Sequence, residues 1–225
     1  MKPILFSLYI LLLAFSSINA QDDDQHDARK ANEHMLQSSH EDLARVFDSS
    51  ARDEWQKPDE VIAFLGDIED KTVVDLGSGS GYFTFRLLAT GASVIAADID
   101  RAFLDIIEEK TANFSIEEGK LVLHQMSESR IDLPEASADI IFLVNTYHHI
   151  PDRVEYFKAA NSVLKEGGKI VIVDFYKHQL PVGPPKHHKI AQDKVLSELA
   201  DAGYLNVESD TELLEHQYII TAHKF

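Results

Sequence analysis

The segment Val73-Val74-Asp75-Leu76-Gly77-Ser78-Gly79-Ser80-Gly81-Tyr82-Phe83-Thr84 constrains the fold more than any other part of this chain. An apolar run closes on an acid, a glycine loop follows, and an amphipathic stretch begins. A buried strand, a tight turn and a helix start, in that order, lay out a nucleotide-type site in which backbone N–H groups meet a ligand. The glycines stand at the first, third and fifth positions of the loop, and Tyr82 occupies the sixth. A dinucleotide-binding loop places glycine at the first, third and sixth positions. The spacing therefore disfavours a nicotinamide oxidoreductase.

Beyond Lys71, β-branched runs at 72–76, 93–99, 121–124, 139–144 and 169–175 alternate with helical patterns at about 81–90, 101–112 and 152–164. Strand–helix alternation predicts a parallel sheet with helices on both faces. A loop bearing Pro181, Pro184 and Pro185 then leads to a helix over 190–202 that stops at Gly203. The runs 206–213 and 217–223 are too close for a crossover helix and must pair antiparallel. Before the sheet, Met35, Leu43, Val46, Phe47, Val61 and Leu65 fall at helical spacing, and Pro58 divides this stretch into two helices. The expected organisation is a helical lid over 34–65 and a main domain over 66–225.

With Asp75 before it, the glycine loop resembles motif I of the class I S-adenosylmethionine-dependent methyltransferases. That resemblance implies an α/β, Rossmann-like sheet of seven strands with a C-terminal antiparallel hairpin. Residues 139–153 and 163–175 are similar to the fourth- and fifth-strand motifs of the methyltransferase-11-like group, with Glu166 in place of the proline of its "LKPGG" turn. Residues 52–58 and 180–189 look like those of an exported bacterial subgroup. The resemblance implies S-adenosyl-L-methionine as cofactor and supplies no substrate.

Carried onto this chain, it assigns the cofactor to Asp75, Gly77, Gly79, Gly81, Asp98, Met126, Ser127 and Asn145. The glycines would let the backbone approach the methionine and ribose parts. Asp75 would face the ammonium group, directly or through water; the competing reading is a carboxylate that caps the loop's own amides. Asp98, at the end of the second strand, would accept from the ribose hydroxyls, and Asp100 reads as a helix N-cap. Met126, Ser127 and Glu128 would lie by the adenine, although Met126 reads equally well as core. Methyl transfer asks mainly for alignment, with a general base only where the acceptor must lose a proton. His148 is the first candidate for that base, since imidazole changes charge near neutral pH. Tyr147 and Asn145 stand beside it, and Asp174, Tyr176 and Lys177 follow the fifth strand. The competing reading of His148 and His149 is packing. No metal is expected, because Asn145 and Asp174 bring too few carboxylates.

The chain carries 38 Asp+Glu against 21 Lys+Arg and no basic run. Nucleic acid is bound largely through phosphate neutralisation, so none is expected and a small-molecule acceptor is favoured. An Asn/Asp-Pro-Pro-Tyr motif, a paired-glutamate loop and cysteine, each of which would name a substrate, are all missing. Lys2, an apolar run from Ile4 and the small residues before Gln21 read as a signal peptide over 1–20, followed by a flexible acidic tail over 21–33. Export to the periplasm or medium follows, with no stable membrane association after cleavage; an uncleaved membrane anchor is the alternative. Two functions remain open: a methyltransferase acting on a small acceptor, or a non-catalytic exported binding module that keeps the fold. The oligomeric state stays open.

Overall fold

The computed structural model describes residues 39–225. The expected signal peptide, the acidic tail and residues 34–38 of the expected lid lie outside the described residues. Seven strands form one sheet: β1 (Thr72–Leu76), β2 (Ser93–Asp98), β3 (Leu121–Gln125), β4 (Ala138–Val144), β5 (Leu164–Phe175), β6 (Leu205–Asp210) and β7 (Gln217–His223). Their order is β3-β2-β1-β4-β5-β7-β6, with β7 antiparallel to both β5 and β6. The order reverses between β1 and β4, so the carboxyl ends of these two strands flank the crevice where an open α/β sheet binds ligands.

Helices α4 (Thr84–Ala89), α5 (Arg101–Thr111), α6 (Arg153–Ala160) and α7 (Gln192–Asp201) cover the sheet, and α1 (His40–Phe47), α2 (Ser50–Gln56) and α3 (Pro58–Phe64) precede it. Each central strand is buried on both faces, so its side chains serve two cores in alternation. Val74 and Leu76 pack with Tyr156, Phe157, Val195 and Leu199 of α6 and α7. Val73 packs on the other side with Val61, Leu87 and Phe142. The buried Arg153 of α6 meets Glu198 of α7 at 2.7 Å and ties the first core together.

Some boundaries differ from the sequence expectation. The lid contains three described helices where Pro58 alone predicted two. Ser49 Oγ accepts from Ala51 N and starts a new helix at Ser50, and Lys57 turns into left-handed backbone at φ 45° before Pro58. Strand β5 starts at Leu164, because Leu164 pairs with Ala138; the register shifts between Ala138 and Ile140, and pairing resumes between Ile140 and Lys169. Strand β6 ends at Asp210, whose carboxylate accepts from the backbone N–H groups of Glu212 and Leu213 and turns the chain.

Candidate active site

A cleft of about 480 Å³ opens above the carboxyl ends of β1, β2 and β4, between the glycine loop and the lid. The loop takes φ of 75°, 50° and 86° at Gly77, Gly79 and Gly81, and Gly77 N donates to Ala97 O at 2.7 Å. Only two of the three glycines touch the cleft. A Cβ at Gly77 would sit 2.4 Å from Thr146 Oγ1, and one at Gly81 would meet Phe85 and Ile107 at 2.9 and 3.0 Å. Gly81 therefore serves the packing of the following helix, whereas Gly79 faces Phe47 of the lid.

The buried carboxylate of Asp75 accepts from Thr84 Oγ1 at 2.6 Å. Burial pushes its pKa up to about 6; the Thr84 bond opposes that shift and the nearby Asp98 adds to it. Asp98, buried at the end of β2, accepts from Gly79 N at 2.8 Å and Asp100 N at 3.0 Å, and burial raises its pKa as well. Asp100 caps α5 through Ala102 N, as the sequence suggests, and its other oxygen lies 2.7 Å from His40 Nε2.

The lid is tied to the rim of this loop. Asp48 accepts from Ser80 Oγ and pairs with Lys110, Asp53 accepts from Tyr82 and pairs with Arg86, and Phe47 packs on Phe103. Deeper, three amides close a ring. Gln56 Nε2 donates to Gln217 Oε1 at 2.7 Å, Gln217 Nε2 donates to Asn145 Oδ1, and Asn145 Nδ2 donates to Gln56 Oε1 at 3.4 Å. The ring joins α2 to the ends of β4 and β7. Sequence reading left Gln56 and Gln217 out, because their partners stand 161 positions apart.

Past β4, Asn145 holds left-handed backbone at φ 59°, and a short 3-10 turn over Tyr147–His149 follows. His148 Nδ1 lies 2.9 Å from Asp174 Oδ2, and both side chains are buried. An ionised carboxylate only accepts, so Nδ1 carries a hydrogen toward Asp174. No protein group among the described residues bonds Nε2, and His148 lines the cleft. His149 lies beside it, with ring centroids 4.3 Å apart; burial first, and then its neighbours His148 and His188, push its pKa well down, so it stays neutral. Tyr147 stands apart. It is fully buried, donates to Glu198 Oε2 at 2.6 Å and stacks on Phe157, and burial raises its pKa well above the usual value.

Of the residues singled out from the sequence, Asp75, Gly77, Gly79, Asp98, Met126, Asn145 and His148 line one cleft. Gly81, Ser127 and Tyr147 are not among its lining residues. Ser127 is exposed and faces its own turn, with Ser129 Oγ and Arg130 O both at 3.4 Å, whereas Glu128 reaches the cleft wall. Trp55 and Phe175 form a tilted ring pair with centroids 5.5 Å apart, and both line the cleft with Pro184.

These residues fit S-adenosylmethionine. Asp75 is a buried carboxylate short of a cation, Ser78 Oγ is buried with no partner, and Gly79 leaves a gap under Phe47. Asp75 and Asn145 would take the amino-acid end, Asp98 the ribose, and Met126 with Glu128 the adenine side.

The fold is that of the class I methyltransferases. Residues 74–172 match the family described as "Methyltransferase domain". A solved S-adenosylmethionine-dependent methyltransferase from Aquifex aeolicus superposes with a TM-score of 0.76 at 24% identity, covering 82% of this chain and 98% of that one. Among curated proteins, 27-O-demethylrifamycin SV methyltransferase of Amycolatopsis mediterranei is 25% identical, covering 49% of this chain and 41% of its own. The tRNA U34 carboxymethyltransferase of Shewanella amazonensis is 29% identical, covering 56% of this chain and 38% of its own. The chain spans less than half the length of both curated relatives.

Proposed function

We propose that this protein transfers a methyl group from S-adenosylmethionine to a small molecule through a hydroxyl or amine that must lose a proton. The observation that carries this reading is the buried His148–Asp174 pair, at 2.9 Å, opening into the cleft that holds the glycine loop. When bound, the cofactor supplies an electrophilic methyl group on a sulfonium. Asp174 fixes the imidazole with its hydrogen on Nδ1, and Nε2 would accept the proton of the acceptor's hydroxyl or amine. Neutral His149, Trp55 and Phe175 line the cleft together with His148 and suit an acceptor with an apolar body.

The acceptor is a small molecule on electrostatic grounds. A net charge of −17 repels a phosphate backbone, and Asp75, Asp98, Asp100 and Glu128 add negative charge at the cleft itself. The test is transfer of a labelled methyl group to pools of small phenols, alcohols and amines, with bulk tRNA alongside. We expect label in a small molecule, and a loss of about 10²–10⁴-fold in turnover for His148→Ala with S-adenosylhomocysteine affinity kept. Label in tRNA would overturn the acceptor class. Cofactor binding with no transfer to any acceptor would make the protein a non-catalytic binding module.

A further inference from the structure

Among the described residues one lysine lies as deep as the core. Lys189, at the end of the loop that bears Pro181, Pro184 and Pro185, is 1% exposed and does not line the cleft. A lysine taken out of water needs acceptors and a counter-charge in place of its hydration. Its Nζ donates to His178 O at 3.1 Å and lies 5.4 Å from the centre of the Phe175 ring. Neither partner carries a full charge.

The packing brings Lys189 to an anion. Asp174, fully buried on β5, accepts from His148 Nδ1 at 2.9 Å, His148 N at 3.3 Å and Phe175 N at 2.7 Å. It pairs across the sheet with Tyr218 of β7, whose hydroxyl donates to Ile190 O at 3.2 Å. The backbone next to Lys189 is therefore fastened over the Asp174–Tyr218 pair, and the ring that Lys189 faces belongs to the residue after Asp174. Burial lowers the Lys189 pKa, and the Asp174 charge works against that fall.

A buried carboxylate bonded to an imidazole can be neutralised in two ways. Either the imidazole takes a second hydrogen and becomes the counter-ion, or a cation stands elsewhere and the imidazole stays neutral. A protonated His148 could not act as a base. The other groups packed around the pair supply no cation to it. His149 is kept neutral by burial, with His148 and His188 adding to that effect. Tyr218 keeps its hydrogen, first through burial and then through the Asp174 charge, and Tyr176 beside it is shifted the same way by burial. Arg153, which also acts on Tyr218, is committed to Glu198.

We infer that Lys189 is the counter-charge of the buried Asp174, and that it thereby keeps His148 neutral and basic at neutral pH. The inference rests on His148 being the base of the proposed transfer. Lys189 is a positioning residue, acting through Asp174 from behind the cleft wall.

The test is an NMR pH titration of the purified protein, with no cofactor or acceptor added and the His148 ring signal assigned by its loss in His148→Gln. Lys189→Met should raise the His148 pKa by about one pH unit, a shift ordinary for the loss of a nearby charge, and Lys189→Arg should keep it near the wild-type value. A His148 pKa that is unmoved or lowered in Lys189→Met overturns the inference. So does an arginine variant that shifts as far as the methionine one, since charge would then not be what counts. If Lys189→Met does not fold, Lys189 itself decides. Its side-chain nitrogen should give an ammonium signal in wild type near pH 7.5, and its pKa should fall by about one pH unit in Asp174→Asn. A neutral amine in wild type, or a Lys189 pKa indifferent to Asp174→Asn, overturns the inference as well. The transfer reading fails by a different sign, the absence of labelled product from every acceptor, which leaves these titrations as they stand.

Discussion

Asp75→Asn should make the ligand-free protein more stable and its cofactor site worse. Burial raises the Asp75 carboxyl from 3.8 to about 6. Because the folded pKa is the higher one, the native state binds more protons than the unfolded chain between these values. Stability from this group therefore falls as pH rises through that window, and the full cost is present above about pH 6. A shift of about two units corresponds to about 3 kcal/mol at neutral pH. Asparagine keeps the shape and can still meet Thr84 Oγ1 without being charged. Urea melts near pH 7.5 should show Asp75→Asn ahead of wild type by up to about 3 kcal/mol, or roughly 6–12 °C in Tm for a chain of this size. Near pH 4 the difference should nearly vanish, since wild type is then largely protonated. S-adenosylhomocysteine should reverse the order near pH 7.5, because the wild-type carboxylate gains the ligand's ammonium and the amide does not. A less stable Asp75→Asn near pH 7.5, or a gain of equal size at both pH values, would refute the reasoning.

Other changes probe other parts of the account. Gly77→Ala forces φ 75° on a side chain and drives its Cβ to 2.4 Å from Thr146 Oγ1, so urea melts should show a loss of about 2–4 kcal/mol, partly recovered by adding Thr146→Ala. Glu198→Ala leaves buried Arg153 without its acid and removes the acceptor of Tyr147, and should cost about 3–5 kcal/mol with cofactor affinity little changed. On sequence grounds we propose that residues 1–20 direct export; mature protein should then begin at Gln21 by N-terminal sequencing, and protein retaining residues 1–20 would contradict it.

What was legible in the sequence follows the range of the interactions. Strands β1 and β7 lie where the apolar runs end, because a doubly buried strand writes itself as a continuous run bounded by polar residues. The Asp100 cap was legible for the same reason, being a contact between neighbours. The lid's extra break was not: Leu43, Val46 and Phe47 keep helical spacing up to Asp48, and Ser49 restarts the helix with a single cap bond. In the site, the residue types at the ends of β1, β2 and β4 identified the cleft, but spacing could not separate Gly79 from Gly81 or His148 from Tyr147. Those pairs differ in what lies behind them, namely Ile107 behind Gly81 and Glu198 behind Tyr147. Asp174 holds His148 from 26 positions away, beyond what one chain of letters displays. The Arg52–Gln56 contact was within reach, since an i, i+4 pair shares a helix face.

The central claim is that this cleft takes S-adenosylmethionine, and calorimetric titration of the purified protein with S-adenosylhomocysteine, with NADH in a parallel run, tests it most directly. Micromolar binding of S-adenosylhomocysteine with no heat from NADH is the predicted result. A folded protein that binds NADH instead, or neither ligand, would contradict the account.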